Sequence, residues 1–125
     1  MAQEMTILFP GGDRVDARYD GVTVATDQDG SAPAPFDLFL ASIGTCAGFY
    51  VYRFCRQRNL PVGGLTVRQE AHVDPATGLI GRIELTIGLP DDFPERYREA
   101  VVRAAQSCAV KKHLERPPRF EVRVS

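Results

Sequence analysis

The run from Pro35 to Asn59 constrains this chain more than any other stretch. Between Asp37 and Arg53 it holds no charged residue, and Phe36, Leu38, Phe39, Leu40, Ile43, Phe49, Val51 and Phe54 fall on every side of a helical wheel. This pattern predicts a long helix enclosed by protein. Pro35 suits the first helical position, where no N–H is needed, and Asp37 in the first turn is favoured by the helix dipole. Gly44 and Gly48, flanked by Ala41, Thr45 and Ala47, predict the close approach of a second helix, either another of this chain or a copy of the same one. The uncharged stretch is shorter than the ~20 apolar residues a membrane span needs, and it contains glycines and hydroxyls, so no membrane role is expected.

The rest of the composition decides what can surround such a helix. A length of 125 residues predicts one domain over 1–125. The 15 basic and 16 acidic residues leave no field to attract nucleic acid or an anionic membrane. Residues Met1 to Thr6 lack the basic-then-apolar build of a signal peptide, which predicts a cytoplasmic protein. Thiols there are normally reduced, and the odd count of three cysteines argues against a disulfide framework.

Three strands are predicted before the helix. Met5, Ile7 and Phe9 alternate with polar or opposite-facing neighbours and end in Pro10-Gly11-Gly12. Arg14 to Tyr19 places Val15, Ala17 and Tyr19 on one face and Arg14, Asp16 and Arg18 on the other. Asp20-Gly21 is a two-residue turn signal leading into Val22–Thr26. After the helix, Leu65–Val73 and Ile83–Leu89 alternate around the turn Asp74–Gly78 and predict a hairpin. Asp91 or Asp92 is the expected cap of a helix beginning near Pro94, and Ser107 that of a short helix from Cys108 to Glu115. Phe120, Val122 and Val124 alternate in a predicted closing strand. The sum is α+β with an antiparallel or mixed sheet.

The candidate chemistry rests on thiols. Cys46 lies in the middle of the apolar helix, where a cysteine is ordinarily a small core residue. Cys108 stands where a helix begins, the position at which the dipole lowers a thiol pKa. Cys55, nine residues beyond Cys46, falls on the opposite side of the helix and reads as structural. His72 and His113 have no second ligand at metal spacing beyond Cys108, so no metal is expected. Phosphate loops and dinucleotide fingerprints are absent from the sequence.

The run Ser31-Ala-Pro-Ala-Pro-Phe-Asp-Leu-Phe-Leu-Ala-Ser-Ile-Gly-Thr-Cys46 is followed 62 residues later (108 minus 46) by Ser107-Cys-Ala-Val-Lys-Lys-His. Together with the upstream glycine turns, these segments resemble the OsmC/Ohr family of thiol-dependent peroxidases over nearly the whole chain. The resemblance implies an OsmC-like fold and an intertwined homodimer with a long buried central helix from each chain. It implies reduction of organic hydroperoxides, with Cys46 as the peroxidatic thiolate. Cys108 would resolve the sulfenic acid as a disulfide, and an external dithiol would reduce it. No cofactor is implied.

Family members of the hydroperoxide-resistance type carry a Glu directly after the proline that opens the helix, where this chain has Phe36. Asp37 is the nearest acid and serves either the partner's site or only its own helix. A mid-helix thiol gains little from its own dipole and needs a cation from elsewhere; of the two arginines on the second strand, Arg14, nearer the glycines, is favoured over Arg18. Phe39, Phe49 and Tyr50 are expected to make the apolar pocket beside Cys46. The alternative is a non-enzymatic dimer that binds a small apolar molecule at its interface, with the cysteines as packing.

Overall fold

The computed structural model describes residues 3–125 and divides into two units, Met1–Ala41 and Ser42–Ser125. The first unit is a meander of β1 (Thr6–Gly11), β2 (Arg14–Tyr19) and β3 (Val22–Asp27), antiparallel in that order. Asp20 and Gly21 both take positive φ, 46° and 76°, so the two-residue turn between Tyr19 and Val22 follows from its sequence. β1 sits in the opposite sense to its expected alternation. Leu8 is its half-buried residue, while Met5, Ile7 and Phe9 are exposed and the register shifts between Leu8 and Gly11.

The buried positions of this unit are polar. Asp16, Thr26 and Asp27 are each under one tenth exposed, and each is satisfied. Arg14 donates from Nε and Nη2 to the two Asp16 oxygens at 2.9 and 3.1 Å, and Thr26 Oγ1 donates to the Val15 carbonyl at 2.6 Å. Asp27 accepts from the Asp29 N–H and the Ser31 hydroxyl, which shapes the loop before the helix.

Helix α1 (Pro35–Gln57) begins in the first unit and continues into the second. Asp37 Oδ2 accepts the Ala34 N–H at 3.1 Å while the Ala34 carbonyl accepts from Asp37 N at 2.9 Å. That is the returning half of a capping box, with Asp37 three residues in from Ala34, whose side chain has no acceptor to complete it. At 23 residues α1 does reach the length of a membrane span, which the count of its uncharged run had placed out of reach. It is nevertheless a core helix. Ile43, Ala47, Val51 and Cys55, spaced by four, form its buried stripe.

The expectation of burial on all sides does not hold within one chain, because the second unit covers a single face. Phe49 and Tyr52 are exposed there, as are Phe36 and Phe39 earlier in the helix. The glycine face meets a strand where a helix was expected. A Cβ on Gly44 would lie 2.5 Å from Gln69 Oε1 and one on Gly48 4.0 Å from Val67 Cγ2.

Gln69 and Val67 belong to β4 (Thr66–Val73), which pairs antiparallel with β5 (Ile80–Gly88). Val67 and Gln69 with Ile83, Leu85 and Ile87 are half-buried in alternation. Beyond Gln69 the alternation fails: Ala71 and Val73 are exposed and the register shifts between His72 and Val73. A 3-10 turn, Glu95–Tyr97, follows Pro94 and leads to α2 (Arg98–Gln106). Neither Asp91 nor Asp92 caps it. They lie in a turn that instead buries Phe93, which joins Val51, Cys55 and Val101 in the core of this unit.

Helix α3 (Ala109–Glu115) is capped by Cys108 and not by Ser107, whose hydroxyl donates back to the Arg103 carbonyl at 3.2 Å. The predicted closing strand does not form. Phe120, Val122 and Val124 are 85%, 97% and 97% exposed and residues 117–125 carry no ladder, since no strand edge among the described residues pairs with them.

Candidate active site

Two elements of the second unit bring the candidate thiols together. Cys46 is half-buried on α1, one position before the stripe residue Ala47. Cys108 is 2% exposed and takes extended backbone, φ −59° and ψ 129°, as the residue before α3. Its thiol lies within hydrogen-bonding reach of the Cys46 sulfur, and both cysteines are free. The chain thus pairs two thiols that are 62 residues apart (108 minus 46) without a disulfide.

The surroundings make the two sulfurs unequal. Burial pushes the Cys46 thiol up, but the Cys108 S–H and the N–H groups of Val110 and Ala109 all stabilise its thiolate, and the net position is below the ordinary thiol value. Burial likewise pushes Cys108 up, and donating to Cys46 holds its proton in place. The N–H groups of Lys111 and Val110 offset only part of this, so Cys108 stays above the ordinary value. The pair is therefore biased so that a negative charge, when one forms, is better held on Cys46 and the proton on Cys108.

This arrangement corrects the expectation that the helix start lowers the Cys108 thiol, which instead stands above its ordinary value. Cys46 does gain from a helix N-terminus, that of α3 and not of its own helix. Unpaired N–H groups at a helix start are anion donors by default. Sequence reasoning had placed Cys108 at that start and missed that the amides of Ala109 and Val110 face its neighbour. The signal was Cys108 itself: a residue capping a helix places whatever touches its side chain in front of the helix's free N–H groups.

The other expected site residues are occupied elsewhere. Arg14 forks onto Asp16, and that hydrogen bond and charge raise its pKa. Asp37 is engaged at the Ala34 cap. Cys55 lies fully buried in the core, where burial pushes its thiol up against the opposing pull of Arg58. Among the described residues no three His, Cys, Asp or Glu side chains gather as a metal-ligand set.

The apolar pocket is also not where the sequence put it. Phe49 is exposed and stacks edge-on with Tyr50, their ring centroids 5.5 Å apart, with the Arg53 guanidinium over both rings. The apolar space lies on the other sulfur's side, as a groove of about 630 Å³ that Cys108 lines together with Ile87, Val101, Val102 and Leu114. Arg98 and Lys111 add two cations to its wall.

Known proteins share this architecture. A hypothetical protein from Aquifex aeolicus VF5 is 16% identical with a TM-score of 0.76, over 95% of this chain and 91% of that one. The OsmC like protein from Mycoplasma pneumoniae is 14% identical with a TM-score of 0.71, over 92% and 88%. The organic hydroperoxide resistance protein OhrB of Bacillus subtilis is 19% identical with a TM-score of 0.50, over 90% of each chain. At these identities the likeness is one of fold. No protein of curated function matches the sequence. The family model for OsmC-like protein matches residues 28–123, a range that leaves out Arg14 and holds Asp37 and both polarised cysteines. Because that match runs through most of its length, the chain belongs to the OsmC-like protein family.

Proposed function

We propose that the protein is a thiol-dependent peroxidase reducing organic hydroperoxides, acting as a soluble cytoplasmic homodimer. The observation that carries this reading is the polarised pair, with Cys46 held toward thiolate by Cys108 and the α3 amides. The likeness of fold to an organic hydroperoxide resistance protein agrees with it.

The thiolate attacks the distal peroxide oxygen, the O–O bond breaks, and the alcohol leaves with a proton from water. Cys46 becomes a sulfenic acid. Cys108 then attacks that sulfur, forming the Cys46–Cys108 disulfide and releasing water, and an external dithiol restores both thiols as it becomes a disulfide. Arg14 is engaged by Asp16, so in this reading the donors that support the thiolate are the Cys108 S–H and the N–H groups of Ala109 and Val110. Asp37 enters by fixing the start of the helix that carries Cys46. The homodimer rests on the exposed aromatic face of α1 and on the bare Phe120, Val122 and Val124.

The test is turnover of cumene hydroperoxide with a dithiol. Cys46→Ser abolishes it and forms no sulfenic acid, whereas Cys108→Ser consumes about one equivalent of peroxide and retains sulfenic acid on Cys46. Reversed behaviour of the two variants would reverse the roles. Sedimentation at micromolar concentration should give twice the chain mass.

The groove favours a second reading, a non-enzymatic dimer that binds a small apolar molecule. Absence of peroxide consumption by the wild type with any dithiol would leave that reading in place.

A further inference from the structure

The groove beside Cys108 has Cys108 and not Cys46 in its wall, although Ile43 and Ala47, on either side of Cys46 along α1, also line it. We propose that the reducing dithiol enters through this groove and attacks the Cys108 sulfur, so that the mixed disulfide forms on Cys108 and Cys46 departs as the thiolate. This rests on the peroxidase reading above.

Three features of the second unit point the same way. The first is access: Cys108 is itself 2% exposed, and the groove is the space its side chain borders. The second is fit. Walls of Ile87, Val101, Val102 and Leu114 suit an alkyl body, and about 630 Å³ is ample for a small dithiol. Arg98 and Lys111 on the same wall complement an incoming thiolate; their carboxylate partners Glu95 and Glu115, at 2.7 and 3.5 Å, are exposed and weakly held.

The third feature is the leaving group. In thiol–disulfide exchange the sulfur that better bears negative charge leaves faster. Cys46 is that sulfur, since the Ala109 and Val110 N–H groups face it. The electrons balance in two steps. The first dithiol sulfur bonds to Cys108 as the Cys46–Cys108 bond breaks and the electron pair goes to Cys46. The second dithiol sulfur then bonds to the first, and Cys108 departs and takes a proton.

The test uses the whole chain, oxidised with one equivalent of cumene hydroperoxide and checked by mass for loss of two hydrogens. Butanethiol, which cannot complete the second step, is then added, exchange is stopped in acid, and the adduct is located by peptide mass spectrometry. The expected adduct is on Cys108 with Cys46 free. An adduct on Cys46 overturns the inference and leaves the peroxidase reading standing, whereas failure to form the disulfide overturns both. Val102 lines the groove and is 48% exposed, so Val102→Trp obstructs the entrance without crowding the core. Reduction of its preformed disulfide by dithiothreitol should be roughly tenfold slower or more, as misplacing a reactant costs rate steeply. An unchanged rate overturns the groove as the route.

Discussion

The thiol of Cys108 donates to Cys46 while the backbone of Cys108 caps α3, so one residue both supplies a donor to the other sulfur and aims two main-chain donors at it. Those contributions can be separated by substitution.

Cys108→Ala removes the S–H donor. The Cys46 thiolate loses a stabilising partner, its pKa rises, and the midpoint of Cys46 alkylation by iodoacetamide moves to higher pH. Cys108→Ser keeps an O–H donor and should shift the midpoint less. Peptide-resolved mass spectrometry separates Cys46 from Cys55, and an unmoved midpoint in the alanine variant would mean that the thiol contact contributes nothing.

Ala109→Pro tests the amides. Position 109 opens α3, where proline is tolerated, and Cys108 already has the extended backbone favoured before proline. The variant should fold with α3 intact and lose one N–H from Cys46. The alkylation midpoint again moves to higher pH, this time with the Cys108 thiol present.

Gly48→Ala should stabilise the protein by about 1 kcal/mol in urea unfolding, the usual difference between these residues in a helix interior. Its Cβ would find Val67 Cγ2 at an ordinary 4.0 Å. At Gly44 the same change meets Gln69 Oε1 at 2.5 Å, so the gain is offset by movement of that side chain. Destabilisation by Gly48→Ala would mean that a surface from another chain packs there.

Asp37→Ala removes the acceptor of the Ala34 N–H and should cost ~0.5 to 1 kcal/mol, the scale of a first-turn acid at a helix start. Asp37→Asn retains an acceptor without the charge and should fall between. Equal stability of all three would leave the Ala34–Asp37 bond without energetic weight.

The elements with local causes were legible in the sequence. Asp20-Gly21 supplies both positive-φ residues of its turn, and Pro35 with Asp37 marks the start of α1. Features set by what lies opposite were not. The alternation of Phe120, Val122 and Val124 specifies a strand only where an edge exists to receive it, and β1 reversed its faces because nothing local distinguishes Leu8 from Ile7. The cysteine pairing came from resemblance. Its polarity came from backbone N–H groups, which every residue but proline carries and no sequence pattern reveals.

Because Cys46 and Cys108 meet only when α1 and α3 are both in place, the lowered pKa of Cys46 is a property of the folded unit. A chain still emerging from the ribosome, or one briefly opened by heat, exposes a cysteine no more acidic than any free thiol. Oxidant present during synthesis therefore finds a poor target. In the proposed peroxidase, Cys46 would gain its acidity only as Cys108 arrives, so the proposed nucleophile would not be armed before the thiol proposed to rescue it from irreversible oxidation.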